Sequence, residues 1–315
     1  MFLLNQLFLA ANIPLRTMCN QCALKPVYVT LNHQKLCKQC YIQYFEKKVF
    51  KTLRSYKLIE DTDIIVCGLS GGKDSITTAY LLQKYLAKSR RNVLALLIDE
   101  GIKGYRSKTL RDAEEFCKEH AIPLTVVSYI QEFGISLDNL LKKSNKKPCT
   151  PCGILRRYML NKYARKLKAT KLAVGHNLDD EAQTLLMNQT KGNMKLSAKL
   201  GPITGVLAHD MFVRRIKPLY FMTEKEVTLY AYVKEFPITF IECPYFKLNF
   251  RYQIGNMLND LETLYPGSKQ GIINSFLHTL PLLKKTYKHE EIGTCATCKE
   301  PATKEKCKTC ELLKR

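Results

Sequence analysis

The sequence has no hydrophobic run long enough to span a bilayer, no low-complexity tract and no convincing export signal. The first fifteen residues, MFLLNQLFLAANIPL, are apolar, but no basic residue precedes their hydrophobic stretch, and the segment is too short to cross a membrane. We therefore expect a folded protein of the reducing cytoplasm with no membrane association. Residues 1–17 could form a partner-docking helix. Because Met18 directly precedes the first cysteine pair, we interpret them instead as an extension read from an upstream start.

Acidic residues are scarce relative to basic ones. The 315 residues include 50 Lys and Arg but only 28 Asp and Glu, which gives a formal charge of +22 spread along the chain. This imbalance causes self-repulsion that a purely small-molecule enzyme has no reason to carry, so we expect nucleic acid as a partner. At 46% hydrophobic residues, the chain can bury one main domain with small appendages.

Cysteine, by contrast, is abundant and patterned. Ten of the 13 cysteines form five Cys-x-x-Cys pairs, and four of these pairs make one quartet near each end of the chain. Four thiolates at this spacing predict structural zinc sites, which stabilise small units that cannot build a core. Rubredoxin-like iron is the alternative occupant, and the reducing compartment disfavours disulfides. The quartets are Cys19, Cys22, Cys37 and Cys40, and Cys295, Cys298, Cys307 and Cys310.

The fifth pair, Cys149 and Cys152, has no second pair beside it. Its candidate partners are Cys243 and the isolated Cys67 and Cys117. Three thiolates can hold a [4Fe-4S] cluster with one iron open to a ligand such as sulfide. A redox dithiol or a catalytic persulfide would use the same residues, and spacing alone does not choose between these chemistries.

Between the quartets, short apolar runs alternate with amphipathic helical patterns. This alternation predicts an α/β fold with a doubly wound parallel sheet, flanked by N- and C-terminal four-cysteine zinc units. A capping box at Thr223 and Glu226 predicts a further helix start. The expected strands are 63–69, 93–98, 124–129, 171–175 and 212–216. The expected helices are 48–57, 75–88, 108–120 and 155–167, with a helical, basic pattern over 249–287.

The hexapeptide SGGKDS, residues 70–75, follows a predicted strand and opens a predicted helix. There, backbone N–H groups and the helix N-terminus can hold phosphate oxygens, Gly71 and Gly72 allow close approach, and Lys73 adds charge. A Walker A loop would need two glycines separated by four residues before the lysine. The S-G-G-x-D-S motif instead resembles the pyrophosphate loop of ATP pyrophosphatases, which cleave ATP between its α and β phosphates to adenylate a substrate.

Two further segments should lie at the carboxyl edge of the sheet, where ligands bind. Backbone groups around Ile98 could cradle adenine. Asp179, Asp180 and Glu181 could hold magnesium or act on the nucleophile, although an acidic helix start favoured by the helix dipole is the alternative.

The loop, Cys149-x-x-Cys152-Gly, Gly175-His-Asn-x-Asp-Asp180, Cys243 and the two quartets together resemble the tRNA 2-thiouridine synthetases of the archaeal and eukaryotic cytoplasmic type. These enzymes belong to the ATP pyrophosphatase, or PP-loop, superfamily. The similarity covers nearly the whole chain, from residue 18 to residue 313. Lysidine, GMP and NAD synthetases share the loop but not the zinc units with the central cysteines.

The resemblance implies that ATP, with Mg²⁺, adenylates the C2 oxygen of a tRNA uridine, and that sulfur then displaces AMP. Position 34 is favoured over position 54, because the many cysteines and asparagines do not suggest a hyperthermophile. The resemblance also implies a [4Fe-4S] cluster on Cys149, Cys152 and Cys243. A ubiquitin-like sulfur-carrier protein with a thiocarboxylate, or free sulfide, would supply sulfur, and a homodimer would offer one tRNA more basic surface.

The resemblance further implies that Asp180 is a catalytic carboxylate. Arg156 stands where some relatives have lysine, so we assign it charge stabilisation rather than proton transfer. Cys40 stands where some relatives have histidine. The implied ATP contacts are Gly68, Ser70, Gly71, Gly72, Lys73, Asp74, Ser75, Ile98, Arg156 and Gly175. Basic residues expected to grip tRNA phosphates are Arg157, Arg165, Lys166, Lys191, Lys195, Lys199 and Arg251.

These expectations divide the chain into five parts. After the 1–17 extension come an N-terminal zinc finger, a catalytic domain with the iron–sulfur site, a basic helical tRNA-binding segment and a C-terminal zinc finger. Their predicted bounds are 18–46, 47–245, 246–290 and 291–315. Two rival hypotheses remain, a zinc-dependent RNA-binding module without catalysis and another PP-loop ligase that attaches an amine to a tRNA base.

Overall fold

The computed structural model describes residues 18–142, 147–205, 211–287 and 292–314. The interpretation of residues 1–17 therefore concerns a segment outside the described residues. Within the described residues, no helix has the length and apolar character needed to cross a bilayer.

A parallel sheet of five strands forms the centre of the fold, and a two-stranded antiparallel ribbon lies in each terminal unit. The strands are β1 (Tyr28–Val29), β2 (Lys35–Leu36), β3 (Ile65–Leu69), β4 (Leu94–Asp99), β5 (Leu124–Ser128), β6 (Lys171–Ala173), β7 (Arg214–Ile216), β8 (Gly293–Thr294) and β9 (Pro301–Ala302). The longer helices are α1 (Lys38–Ser55), α2 (Lys73–Ala87), α3 (Arg106–Glu119), α6 (Cys149–Lys166), α7 (Leu178–Thr190), α9 (Glu224–Val233), α10 (Phe250–Leu264) and α11 (Ser268–Thr286). The shorter helices are α4 (Tyr129–Phe133), α5 (Leu137–Lys142), α8 (Met194–Ser197) and α12 (Lys308–Leu313), with a 3₁₀ turn at Phe246–Leu248.

The strand order in the central sheet is β5-β4-β3-β6-β7, and every neighbouring pair is parallel. The chain winds outward in one direction from β3 to β5 and in the other from β6 to β7. This order confirms the predicted doubly wound fold. It also places the topological switch between β3 and β6, where the carboxyl ends of the strands form a crevice for ligands.

Both faces of the sheet are buried. Along β3, Ile65, Cys67 and Leu69 face a core shared with α1, α2 and α9, whereas Val66 faces a second core shared with α6. Apolar residues on both faces explain why the strand is a continuous apolar run in the sequence.

Several element bounds differ from the sequence-based expectation. Helix α6 begins at Cys149 rather than at residue 155. Pro151 permits this start, because it lies in the first turn, where a backbone N–H would make no hydrogen bond within the helix. Helix α1 begins at Lys38, so one helix runs from the first cysteine quartet into the main domain. The 249–287 pattern forms two helices, α10 and α11, with Gly267 left-handed at a φ of 93° between them.

Candidate active site

The phosphate loop connects β3 to α2 at the topological switch. Gly71 has a φ of +78°, and a Cβ there would lie 1.8 Å from the Thr109 carbonyl oxygen, so no side chain fits. The Ser75 hydroxyl accepts from the Ser70 N–H at 3.0 Å and donates to the Gly72 carbonyl at 3.0 Å. These bonds hold the loop in a tight turn at the N-terminus of α2, which agrees with the predicted phosphate site.

Two charged side chains of the motif, Lys73 and Asp74, meet at the start of α2. Lys73 Nζ lies 3.0 Å from Asp74 Oδ2 and 3.1 Å from Glu224 Oε1 on α9. A Cβ on Gly175 would lie 2.8 Å from the Asp74 carbonyl carbon, so the segment after β6 passes directly against the loop. Asn177 then donates to Asp74 Oδ1 at 3.0 Å. The two motifs, distant in sequence, therefore form one site.

Asp180 lies on the first turn of α7, facing this site. Its backbone N–H donates to Asn177 Oδ1 at 3.0 Å, and its own carboxylate accepts from the Asn177 N–H, which completes a capping box. Burial and the nearby Asp74 carboxylate raise the pKa of Asp180 to about 7, although Arg251 opposes them. A carboxyl group with this pKa suits proton transfer at neutral pH.

The two neighbouring acidic residues, Asp179 and Glu181, are engaged in buried ion pairs. Asp179 is buried, pairs with Lys269 of α11 and accepts from the Glu224 N–H. Glu181 is buried and pairs with Lys217 at 2.7 Å. Both carboxylates are already neutralised by buried lysines, whereas the Asp180 carboxylate is partly exposed and lies 3.6 Å from Arg251 Nη1.

A cavity of about 410 Å³ opens beside the phosphate loop at the end of β4. Ile98 lies one residue before the end of this strand, in register with Val127 of β5, and its side chain is buried. Gly68 lies inside β3, where a Cβ would touch Leu160 at 3.4 Å. None of the residues expected to contact ATP lines this cavity, although Arg106 on its wall donates to the Ser70 carbonyl of the loop. The lining residues of the cavity are Asp99, Gly101, Ile102, Lys103, Gly104, Arg106, Ser107 and Leu110.

The Glu100 carboxylate lies at the centre of the site and is 1% exposed. It pairs with Arg106 on one side, and its Oε1 lies 2.8 Å from Arg156 Nε on the other. Burial alone would raise the pKa of Glu100, but the two guanidinium groups lower it, so the group is ionised. The Glu100 carboxylate in turn raises the pKa of the Arg156 guanidinium. Arg156 therefore cannot serve as a base, consistent with the charge-stabilising role expected for it.

The central cysteines lie at the N-terminus of α6, next to this network. Arg156 Nη2 donates to Cys152 Sγ at 2.9 Å. Cys152 is buried, Cys149 is exposed, and Asn249 Nδ2 lies 3.5 Å from Cys149 Sγ. Burial, together with the nearby Cys152 and Cys149 thiols, raises the pKa of Cys243, so all three thiols share one region.

The other partner candidates for Cys149 and Cys152 lie elsewhere. Cys67 and Cys117 belong to the core on the opposite face of the sheet from Cys152. Burial raises the pKa of the Cys117 thiol to about 11. Both are therefore core residues, and Cys243 is the remaining candidate as third thiol.

Each terminal quartet brings its four sulfurs within 4.8 Å of one another, as the ligands of one metal ion require. Cys22 Sγ lies 3.4 Å from Cys37 Sγ, and Cys298 Sγ lies 3.6 Å from Cys307 Sγ. Backbone N–H groups of Cys298 and Cys307 lower the pKa of Cys295 to about 6, which favours the thiolate. These donor sets fit tetrahedral zinc. Among the described residues, the three central cysteines do not form a set as tight as the two quartets.

Comparison with known proteins agrees with this geometry. Residues 42–244 match the PP-loop domain family. The chain is 37% identical over 286 residues to the cytoplasmic tRNA 2-thiolation protein 1 of Aspergillus niger, covering 90% of this chain and 83% of that protein. It is 35% identical over 295 residues to the tRNA-5-methyluridine(54) 2-sulfurtransferase of Pyrococcus horikoshii, covering 93% and 92%.

Among solved structures, the U34-tRNA thiolase NcsA of Methanococcus maripaludis, determined with its [4Fe-4S] cluster, superposes with a TM-score of 0.80. The two sequences are 35% identical, and the match covers 95% of this chain and 96% of NcsA. This chain belongs to the PP-loop tRNA 2-thiolation family.

For this PP-loop protein, the structure also shows which of the expected RNA-binding side chains are already engaged. Arg165 pairs with Glu300, and Arg251 donates to the Asp180 carbonyl and to Gln183. Arg157 is exposed and lies over Gly153, where a Cβ would come within 3.4 Å of Nη2. Arg165 and Arg251 thus have structural contacts, whereas Arg157 is open to solvent beside the cysteine site.

Four side chains of the site were not among the residues predicted from the sequence. Glu100, Arg106, Asn177 and Glu224 hold the loop, Lys73, Asp74 and Arg156 in place. The signal for Glu100 was present, since an acidic residue directly after a buried strand sits at the ligand edge of the sheet. The sequence offered no comparable signal for Glu224, which reaches the loop from a helix about 150 residues further along.

Proposed function

We propose that this protein is an ATP-dependent, cytoplasmic tRNA sulfurtransferase that adenylates the C2 oxygen of a uridine and replaces that oxygen with sulfur. The observation that carries the proposal is the continuity of its two chemical sites. Arg156 contacts Cys152 at the cysteine site and Glu100, whose other partner Arg106 donates to the phosphate loop, so a nucleotide and a sulfur source would be bound at the same carboxyl edge of the sheet.

In the first step, the uridine C2 oxygen attacks the α-phosphorus of ATP, and the bond to the β-phosphate oxygen breaks. The loop N–H groups and Lys73 would hold the departing pyrophosphate. The attack leaves N3 with a proton to lose, and we assign Asp180 as its acceptor, because a group with a pKa of about 7 is half ionised at neutral pH. Arg156 would balance the negative charge that develops on the phosphoryl oxygens.

Mg²⁺ fits the acidic side of this site. The Asp74 carboxylate lies close enough to raise the pKa of Asp180, and Mg²⁺ would bind at Asp74, which leaves Asp180 free as the proton acceptor. Carboxylate oxygens are the ligands that Mg²⁺ prefers, and Mg²⁺ commonly joins protein carboxylates to phosphates.

In the second step, sulfur attacks C2 of the adenylated uridine, the C2–O bond breaks, and AMP leaves with the oxygen. Cys149, Cys152 and Cys243 would hold the [4Fe-4S] cluster. When bound, the cluster would supply an open iron at which sulfide is kept from water. The Arg156 hydrogen bond would stabilise the anionic sulfur of Cys152.

The finer assignments are also part of the proposal. We favour uridine 34 over uridine 54, two zinc ions in the terminal quartets, and a thiocarboxylated ubiquitin-like carrier protein or free sulfide as sulfur source. The net charge of +22 supports tRNA binding. A homodimer would extend the basic surface offered to one tRNA.

The deciding experiment compares wild-type protein, purified without oxygen, with Asp180→Asn. We expect tRNA-dependent pyrophosphate release and 2-thiouridine formation by the wild type, with kcat/KM rising as pH passes through about 7. Asp180→Asn should abolish both while keeping tRNA binding and the circular dichroism spectrum. Asp260→Asn, an exposed carboxylate on α10, is the matched control and should remain active.

Other outcomes would support the rival functions. Tight tRNA binding without pyrophosphate release by the wild type would indicate an RNA-binding module. A Cys149→Ala protein with undiminished turnover would indicate a ligase that does not use the cysteine site. Mapping the thiolated nucleotide by mass spectrometry of tRNA digests would distinguish position 34 from position 54.

A further inference from the structure

A continuous line of polar contacts joins the phosphate loop to the cysteine site. Arg106 Nη1 donates to the Ser70 carbonyl at 2.9 Å, and Arg106 Nη2 pairs with Glu100. Glu100 Oε1 lies 2.8 Å from Arg156 Nε, and Arg156 Nη2 donates to Cys152 Sγ at 2.9 Å. One carboxylate therefore holds two guanidinium groups that reach opposite ends of the site.

The middle of this line is desolvated. The side chains of Glu100 and Arg106 are 1% and 6% exposed. A buried carboxylate between two cations is held in place strongly, since removing one partner leaves an uncompensated charge in a region of low dielectric constant. Arg156, at 45% side-chain exposure, is the most exposed of these three side chains. Its position depends mainly on Glu100 and on the Cys152 sulfur.

We propose that Glu100 is a positioning residue that couples nucleotide binding at the phosphate loop to the cluster-bearing cysteines. A phosphate that enters the loop moves or stiffens the Ser70 carbonyl, which anchors Arg106. Arg106 pairs with Oε2 of Glu100 and Arg156 lies at Oε1, so a shift of Arg106 that displaces this carboxylate changes the hydrogen bond that Arg156 donates to Cys152. This inference rests on the proposed function, because it takes ATP and a cluster as the two occupants.

The coupling would serve the order of the reaction. Sulfur must attack only after the uridine has been adenylated, since sulfur released earlier would be lost to water. A hydrogen bond to a cluster thiolate changes the electronic properties of the cluster, and removing or adding one is a known means of tuning it. Through the contacts of Glu100, the electronic properties of the cluster would depend on whether a nucleotide is bound.

The test uses anaerobically purified protein with its cluster, without tRNA, titrated with a non-hydrolysable ATP analogue that has a methylene group between its α and β phosphates. The readouts are analogue affinity by calorimetry, the visible absorbance of the cluster, and the electron paramagnetic resonance of the cluster after one-electron reduction with dithionite. We expect the cluster spectrum of the wild type to change as the analogue saturates. Glu100→Gln, which keeps the shape but not the charge, should bind the analogue and lose this spectral change.

The matched control is Glu115→Gln, an exposed carboxylate on α3, which should keep the full response. If Glu100→Gln does not retain its cluster, Arg106→Lys provides the second test. A lysine can pair with Glu100 but cannot also reach the Ser70 carbonyl through a second nitrogen, so the cluster should stay and the response should disappear. In thiolation assays, Glu100→Gln should lower kcat by about a hundredfold, as small misplacements of reacting groups do.

A wild type whose cluster spectrum ignores the analogue would overturn the proposal, and so would a full response in Glu100→Gln or in Arg106→Lys. Because these titrations contain no tRNA, their result is separate from the proposed function. A protein that fails to thiolate tRNA but shows the Glu100-dependent response would refute the proposed function and support the coupling through Glu100.

Discussion

In the N-terminal unit, Cys37 and Cys40 open the 18-residue helix α1, whereas in the C-terminal unit Cys307 and Cys310 open the six-residue helix α12. The two helix starts are alike. In each, the first cysteine sulfur accepts from the backbone N–H of the second, at 3.5 Å and 3.4 Å. What differs is how much of the protein depends on the helix that follows.

The N-terminal unit is part of the main core. Cys19, Cys37 and Cys40 belong to the large apolar cluster that includes α1, α2 and α9. Glu226 on α9 is 2% exposed and receives hydrogen bonds from Tyr28 and Lys48 of this unit and its helix. The same helix carries Glu224, which pairs with Lys73 of the phosphate loop, so this unit supports the nucleotide half of the site.

The C-terminal unit is an attachment to α6. Its cysteines form a small cluster of their own with Ala302. Glu300 pairs with Arg165, and Leu312 and Leu313 pack against the core that contains Cys152. This unit therefore supports the sulfur half of the site. The comparison predicts that the two quartets contribute very differently to stability, because the contribution depends on what the ligand-bearing chain is packed against.

The largest effect should come from breaking the N-terminal quartet. Structural zinc contributes about 10–16 kcal/mol to the folding of isolated zinc fingers, which exceeds the stability of a typical domain. Cys37→Ser should therefore abolish cooperative folding of the whole chain, measured as loss of a thermal transition by circular dichroism. A soluble variant with a wild-type melting temperature would show that this unit is dispensable.

The matched change in the C-terminal quartet should have a more local effect. We expect Cys307→Ser to lose one zinc per chain while the main thermal transition remains. Hydrogen exchange should become fast in residues 292–314 and stay slow in the central sheet. Loss of the main transition would contradict the view of this unit as an attachment.

The docking contacts allow a finer comparison. Glu226→Gln removes the charge that Lys48 and two tyrosine hydroxyls face in a buried site, so unfolding free energy should fall by about 2–3 kcal/mol. Urea denaturation measures this loss. Glu235→Gln is the control, because its ion pair with Lys38 is exposed at 80% and 54% and should contribute almost nothing. Equal losses in the two variants would mean that Glu226 is not a buried anchor.

The smallest effect should follow from Glu300→Gln. Its pair with Arg165 is partly exposed, so we expect a loss of about 1 kcal/mol that is confined to the C-terminal unit. The rate of zinc release to a chelator should rise for one of the two zinc ions only. Faster release of both ions would indicate that the two units are coupled.

Local patterns accounted for most of the fold. Runs such as 63–69 and the Thr223–Glu226 capping box gave the correct elements, because strand burial and helix capping involve neighbouring residues. The start of α6 was wrong by six residues. The helix includes the Cys-x-x-Cys motif because its Pro151 lies in the first turn, where proline is accepted.

The sequence by itself determined the two cysteine quartets, the phosphate loop and the alternation of strands and helices, since each depends on residue types at fixed short spacings. Only the tertiary structure decided which charged groups the acidic residues pair with. It paired Asp179 with Lys269 and Glu181 with Lys217, left Asp180 facing Asp74, and set Glu100 between two arginines. Ion pairs between distant segments follow from strand order and helix packing, and a charge is neutralised or left free only once those neighbours are in place.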